Sequence, residues 1–248
     1  NMPLATKVVN DILNNYAEHP NIKLLKGRSY IEAVSALDAD ERKELFENYI
    51  SKTHISVTYL YLAELYKEGH IKYIFTTNFD DLVLRALALK GVFPPIYDMT
   101  SIEEFSSANP SEGAIIFLHG RHNGDWQLNT DDEMQKVAAR TKNLFNKIED
   151  NRWIVVGYSG DDLVFESLNT YCTRFNKHLY WIGYKDNEPS EKLLQSSLFG
   201  TTNKQAYYIK GYDSDSFFKE LYFQLEGKSV PEILSKPFTT MSNIYNGV

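Results

Sequence analysis

The order of apolar runs along this chain predicts an α/β fold: a Rossmann-like, doubly wound parallel sheet with helices on both faces and an added helical segment. Two observations carry the prediction. Beyond Gly69, short runs rich in β-branched and aromatic residues recur at residues 73–75, 114–118, 153–156, 179–182 and 207–209. Apolar runs without alternation are the mark of strands covered on both faces. Helical stretches lie between or after them, at residues 81–88, 133–149, 163–174, 190–197 and 214–225. Regular alternation of strand and helix favours parallel strands joined by crossovers.

The lead-in to that alternation is helical. Over residues 5–16, Val8, Val9, Ile12 and Leu13 recur at the helical period and mark one buried face. Residues 38–51 place Leu45, Phe46, Tyr49 and Ile50 on one side, and residues 54–67 read as a further helix closed by Gly69. Past about residue 227 the periodic signal weakens, and Pro231 and Pro237 suggest a tail or linker. The expected division is therefore one domain over residues 1–227 and a tail or linker over 228–248.

Bulk properties narrow the function classes. A chain of 248 residues that is 43% hydrophobic and 14% aromatic can build a sizeable core, so disorder is excluded. The net charge of −7 argues against a strong non-specific hold on nucleic acid or anionic lipid. A single cysteine, Cys172, supports neither a disulfide framework nor a zinc cluster, which makes a reducing cytoplasm the simplest setting. No apolar run approaches the roughly 20 residues that span a bilayer. A membrane association is not expected.

Three strand ends carry polar residues. Thr76-Thr77-Asn78-Phe79-Asp80-Asp81 follows the run at 73–75 and opens a helix. Asn78 or Asp80 as N-cap explains part of it. A ligand facing the Asn78 amide and the turn's backbone N–H groups explains the rest. His119-Gly120 follows residues 114–118. A histidine there is well placed as a base near neutral pH, and Gly120 allows close approach of a ligand. His122 lies further along the loop and is the weaker candidate. Gly157-Tyr158-Ser159-Gly160-Asp161 follows residues 153–156. It reads as a phosphate or ribose site at a helix start, or as a plain turn with Asp161 as N-cap. Gly183-Tyr184 and Gly211-Tyr212 repeat strand, glycine, aromatic; they flank an adenine ring or simply end strands. Strand ends of this kind form the ligand crevice of an open α/β sheet.

Other chemistries find no pattern. The histidines are scattered without metal-ligand spacing, so no metal is expected. Gly157-Tyr158-Ser159-Gly160 lacks the G-x-S-x-G spacing of a serine hydrolase, and no G-x-x-x-x-G-K-[ST] phosphate loop occurs.

The ordered set Thr76-Thr-Asn-Phe-Asp80, Leu118-His-Gly120 and Gly157-Tyr-Ser159 resembles the sirtuin-like NAD-binding domain over roughly residues 1–225. Sirtuins carry Thr-Gln-Asn-Ile-Asp, Leu-His-Gly and Gly-Thr-Ser segments in the same order. The Phe and Tyr versions resemble the branch of bacterial antiphage defence proteins that degrade NAD+. The resemblance implies that Asn78 positions the nicotinamide ribose and the attacking water, and that His119 is the catalytic base. It places Asp80 near the nicotinamide, with Thr76, Thr77 and Gly120 beside it. Gly157 and Ser159 fall on the adenosine side, with Gly183 and Tyr212 as further contacts. NAD+ is then a substrate, and nicotinamide and ADP-ribose are the products. The alternatives are an NAD+-dependent protein deacylase and a non-catalytic nucleotide-sensing or assembly module.

Two departures follow from the same resemblance. The family's glycine-rich first loop, G-A-G-x-S, has no counterpart, so a strand and glycine-rich turn are expected upstream of Asn1. The zinc-ribbon cysteines of protein-deacylating sirtuins are missing between His119 and Gly157, which argues against an acyl-lysine cleft. Expected partners are a further copy of the chain, or a sensor protein or fused sensor domain such as a short Argonaute, an ATPase or a phage protein. Direct nucleic-acid binding by this domain is not expected.

Overall fold

The computed structural model describes all residues except 1, 2, 4, 28, 103–109, 122–139, 142–143, 146–149, 161–162, 172–174, 176, 201–205, 228–229 and 248. Helices come first: α1 (Ala5–Asn15), α2 (Pro20–Lys23), α3 (Tyr30–Ser35), α4 (Ala39–Ile50) and α5 (Val57–Lys67). The apolar faces of α1–α4 meet in one cluster, in which Val8, Val9 and Ile12 of α1 pack on Ala33, Val34, Leu45 and Phe46, while α5 packs in separate clusters. α3 and α4 open on reciprocal caps, Ser29 with Glu32 and Asp38 with Glu41. Each pair satisfies two amides that the helix itself leaves without partners. α5 closes where Gly69 takes φ 81° and its N–H donates to the Tyr66 carbonyl at 3.0 Å. The His70 N–H reaches back to the Leu65 carbonyl at 3.0 Å, completing a Schellman stop.

The alternating region holds β1 (Ile74–Thr76), α6 (Leu82–Ala88), β2 (Ile96–Asp98), β3 (Ile115–Phe117), β4 (Trp153–Val156), α7 (Leu163–Tyr171) and β5 (Leu179–Tyr184). Then come α8 (Glu191–Gln195), α9 (Ser197–Gly200), β6 (Ala206–Tyr212) and α10 (Ser214–Glu226). Strand order is β1-β3-β2 in one sheet and β4-β5-β6 in a second, and every pair is parallel. The architecture is α/β and Rossmann-like, as the alternation predicts.

One expectation is corrected: residues 73–75 and 153–156 do not share one continuous ladder but belong to two three-stranded parallel halves. Side chains join the halves. Phe75 of β1 stacks on Trp153 of β4 at 5.5 Å and 22°, and Phe145 and Phe175 meet the same indole edge-on. Apolar runs show which segments are strands but not which strands pair, and this join is made by ring packing. Both halves contribute to a common core that includes Ile116, Leu118, Leu179 and Trp181.

Other differences have local causes. β2 escapes the sequence reading because it is three residues long and follows Pro94-Pro95. Proline lacks the ladder donor and is confined to edges or strand starts, and β2 is an edge strand. The Pro95 carbonyl still accepts from the Ile115 N–H at 2.9 Å. The helix expected at 54–67 starts at Val57 with Ser56 as its N-cap residue. The one expected at 190–197 splits into α8 and α9, with extended Ser196 between them. Most of the helix expected at 133–149, and the end of the one at 163–174, lie outside the described residues. The supposed tail contains α11 (Glu232–Ser235) and α12 (Pro237–Asn246).

Burial differs between the halves. Ile115, Ile116 and Phe117 of β3 are fully buried, as a central parallel strand should be. In β4–β6 one face is only partly covered: Ile154 is 42% and Tyr207 49% exposed. α10 is clamped to α5: the Thr58 N–H donates to Asp215 at 3.0 Å, Tyr61 packs edge-on to Tyr222 at 5.4 Å, and His70 bonds Glu226 at 2.6 Å. Behind α5, Lys90 and Glu64 form an ion pair with side chains 7% and 10% exposed. Among the described residues no helix is long and apolar enough to cross a membrane.

Candidate functional site

β1 and β3 deliver Asn78 and His119 to the same height. Thr76 is level with Phe117 in the parallel register, and the Leu118 N–H donates to the Thr76 carbonyl at 2.9 Å. Asn78 and His119 each stand two residues beyond those partners, on strands that neighbour each other at about 4.8 Å. Both strands end in turns there, so both side chains sit at the carboxyl ends where open α/β sheets bind ligands.

The polar residues of the first turn are held in place by one another. The Thr76 hydroxyl accepts from the Asn78 N–H at 3.0 Å, which shapes the turn. The Asn78 Nδ2 donates to the Tyr59 hydroxyl of α5 at 3.1 Å. This fixes the amide plane and leaves the carbonyl half of the exposed Asn78 side chain to accept from a water or a sugar hydroxyl. Burial pushes the Tyr59 phenol up to about 12, with the charge of Asp80 adding to it. Tyr59 therefore remains a neutral O–H at neutral pH. Asp80 is buried, and its Oδ1 accepts from the Leu82 N–H at 3.1 Å.

The capping expectation is thus adjusted. Asp81 stands at the N-cap position of α6 without a side-chain cap bond, Asp80 serves the first helical amide, and Asn78 is turned to Tyr59 instead. Thr77, ahead of Asn78, is half-buried.

Below this turn, Phe79 is buried and its ring lies 6.5 Å from His119 and 5.7 Å from Phe46. Phe79 therefore ties the strand end to the helical lead-in. His119 is buried, at 5% exposure. Gly120 follows with φ 88°. Only glycine enters that region without strain, so the chain can turn away directly behind the imidazole. Arg121 comes next, its guanidinium 5.3 Å over the Phe117 ring.

The remaining predicted residues form a second group on the other half. Gly157, with φ 68°, and Ser159 are exposed at the end of β4. Tyr158 between them turns inward and stacks on Trp181 at 5.7 Å. Gly160 (φ 78°) is buried, and a Cβ there would meet Phe165 and Trp181 at 3.3 Å. Gly183 sits where β5 shifts register, and a Cβ on it would run into the phenol end of Tyr208. The structure gives that glycine a packing reason. Tyr212 ends β6, half-buried, with its ring 5.8 Å from Phe217. His122, Asp161 and Cys172 lie outside the described residues.

Tyr59 is the residue that sequence reasoning missed. It lies in Val57-Thr-Tyr-Leu-Tyr-Leu62, where an aromatic at helical spacing is indistinguishable from core. Among the described residues no group of three or more His, Cys, Asp or Glu side chains is placed to hold a metal ion.

A parallel α/β scaffold with a Thr-Thr-Asn turn and a Leu-His-Gly turn on adjacent strands defines a sirtuin-type nucleotide-binding domain. The SIR2-like domain family matches the chain over residues 72–202, more than half of its length. The chain belongs to that family, whose members use NAD+. A comparison with curated proteins returns no match.

Proposed function

We propose that this protein is an NAD+ glycohydrolase that releases nicotinamide and ADP-ribose, serving as the effector of a bacterial antiphage defence system. The reading rests on SIR2-like membership and on one observation, the Asn78–His119 pair at matched positions past β1 and β3. In NAD+ the nicotinamide nitrogen is cationic and leaves neutral, taking the electron pair of the C1′–N bond. Little acid assistance is needed. The site must hold a cationic, oxocarbenium-like ribose and present a water to C1′. Asn78, its donor half tied to Tyr59, accepts from that water or from a ribose hydroxyl. His119 takes the proton released as the new C1′–O bond forms. A positioned base of this kind supplies about 10²–10⁴-fold. So destructive an activity needs an off state, and control by assembly or by a sensor partner in the cytoplasm fits it.

The test is nicotinamide release by the full chain, with and without an acyl-lysine peptide. Asn78→Ala and His119→Ala should each lower the rate about 10²-fold or more, and His122→Ala should retain it. Thermal melts, together with His119→Gln, separate a chemical loss from a folding loss. Unchanged NAD+ loss in folded Asn78→Ala and His119→Ala overturns the mechanism. Turnover only with the peptide makes the protein a deacylase.

A further inference from the structure

The first turn of α5 is held from another helix. Ser56 stands at the N-cap position, but the capping acceptor comes from Asp215, in the first turn of α10. Its Oδ1 accepts from the Thr58 N–H at 3.0 Å and from the Thr58 hydroxyl. The first amides of a helix have no acceptor within it, and a carboxylate there also meets the positive end of the helix dipole. A hydrogen bond to a charged acceptor is among the stronger kinds. Asp215 thus does the work of an N-cap residue from 157 positions along the chain.

The turn held in this way carries Tyr59. Thr58 and Tyr59 are adjacent, and the backbone ladder of α5 begins after them, where the Leu60 N–H donates to the Ser56 carbonyl at 3.3 Å. The Tyr59 ring packs against the cluster of Ala63, Val83, Ala86 and Phe117. Its hydroxyl accepts from the Asn78 Nδ2 at 3.1 Å. Asp215 also follows closely on Tyr212, the last residue of β6. The segment that leaves β6 beside the expected adenosine contacts therefore also fixes the start of α5.

We infer that Asp215 is a positioning residue for Asn78. It fixes the first turn of α5, that turn fixes the Tyr59 hydroxyl, and the hydroxyl fixes the plane of the Asn78 amide. Its part in the reaction rests on the NAD+ glycohydrolase reading; its hold on the amide does not. The same two helices supply a contrast. His70 bonds Glu226 at 2.6 Å at the far end of α5 and α10, away from Tyr59. If α10 served only to dock α5, losing either contact would affect Asn78 alike.

The experiment follows the Asn78 side-chain amide by NMR in the full chain with isotope-labelled asparagine, assigned as the signal that Asn78→Ala deletes. In Asp215→Ala it should move toward the position it takes in Tyr59→Phe. In Asp215→Asn, which keeps an acceptor for Thr58, and in Glu226→Ala it should stay. In nicotinamide release, Asp215→Ala should lower kcat about threefold to fivefold and move KM for NAD+ less, with Asp215→Asn restoring most of the loss. Added to Tyr59→Phe, Asp215→Ala should cost little more, because residues that act through one another are not additive. Melting temperatures show that each variant is folded. An unmoved amide in folded Asp215→Ala overturns the inference. So does an amide displaced as far by Glu226→Ala, or two rate losses that multiply in full. A moved amide in a chain that releases no nicotinamide upholds the positioning and leaves only the hydrolase reading to fall.

Discussion

The Asn78 side-chain amide donates to the Tyr59 hydroxyl at 3.1 Å, so a residue of the helical lead-in sets the orientation of a residue at a strand end. The turn after β1 is therefore completed by a helix ahead of the SIR2-like segment, which begins at residue 72. Tyr59→Phe removes the acceptor and frees the amide to rotate. The hydrogen bond is worth about 1 kcal/mol net. The expected outcome is a fall of about fivefold in nicotinamide release, with melting temperature nearly unchanged. An equal loss of rate and of stability would make Tyr59 purely structural.

Tyr59 also carries a pH signature. Its folded-state value is raised from 10.0 to about 12, first by burial and then by Asp80. A raised value means that the folded chain holds its proton more tightly than the unfolded chain does. The stabilisation is whole below pH 10.0 and is lost as pH rises toward about 12. Denaturation in urea across this window should show Tyr59→Phe losing less stability than the wild type. Parallel pH profiles for the two would contradict the assignment.

Lys90 and Glu64 are both nearly buried, which makes their pairing obligatory rather than decorative. Removing one partner leaves a charge inside the protein without its counterion. Lys90→Met should cost about 3–5 kcal/mol, and Lys90→Met with Glu64→Met should recover most of it. Urea denaturation of the two variants decides the matter. A mild single variant would show that water reaches the pair.

Gly183 separates packing from binding. Gly183→Ala drives a Cβ into the phenol end of Tyr208 and should cost about 1–3 kcal/mol. Pairing it with Tyr208→Ala should cost less than the two changes summed, since the clash is gone. If Gly183→Ala instead raises KM for NAD+ without loss of stability, the glycine faces the ligand.

The sequence shows its strands plainly where burial is complete. Residues 114–118 read as a buried strand because Ile115, Ile116 and Phe117 are buried on both faces. It shows the two turns for a related reason: Asn78 and His119 interrupt apolar runs abruptly. What stayed hidden depends on partners far along the chain. Tyr59 meets Asn78 from another element, and nothing in the spacing of α5 announces it. β2 is too short, and too close to two prolines, to carry a pattern. The join between the two sheets is made by Phe75 stacking on Trp153, a contact that periodicity does not encode.

That stack has a further meaning. A hydrogen-bonded ladder would fix the spacing of the two halves in backbone units, indifferent to side-chain identity. Here the spacing is set by the thickness and tilt of Phe75, Phe145, Trp153 and Phe175. Asn78 and His119 stand on one side of that seam, and Gly157 and Ser159 on the other. The four rings thus act as a gauge block between the two groups of residues proposed to face the ligand. The reach between those groups is tuned by aromatic volume at the seam of the two sheets.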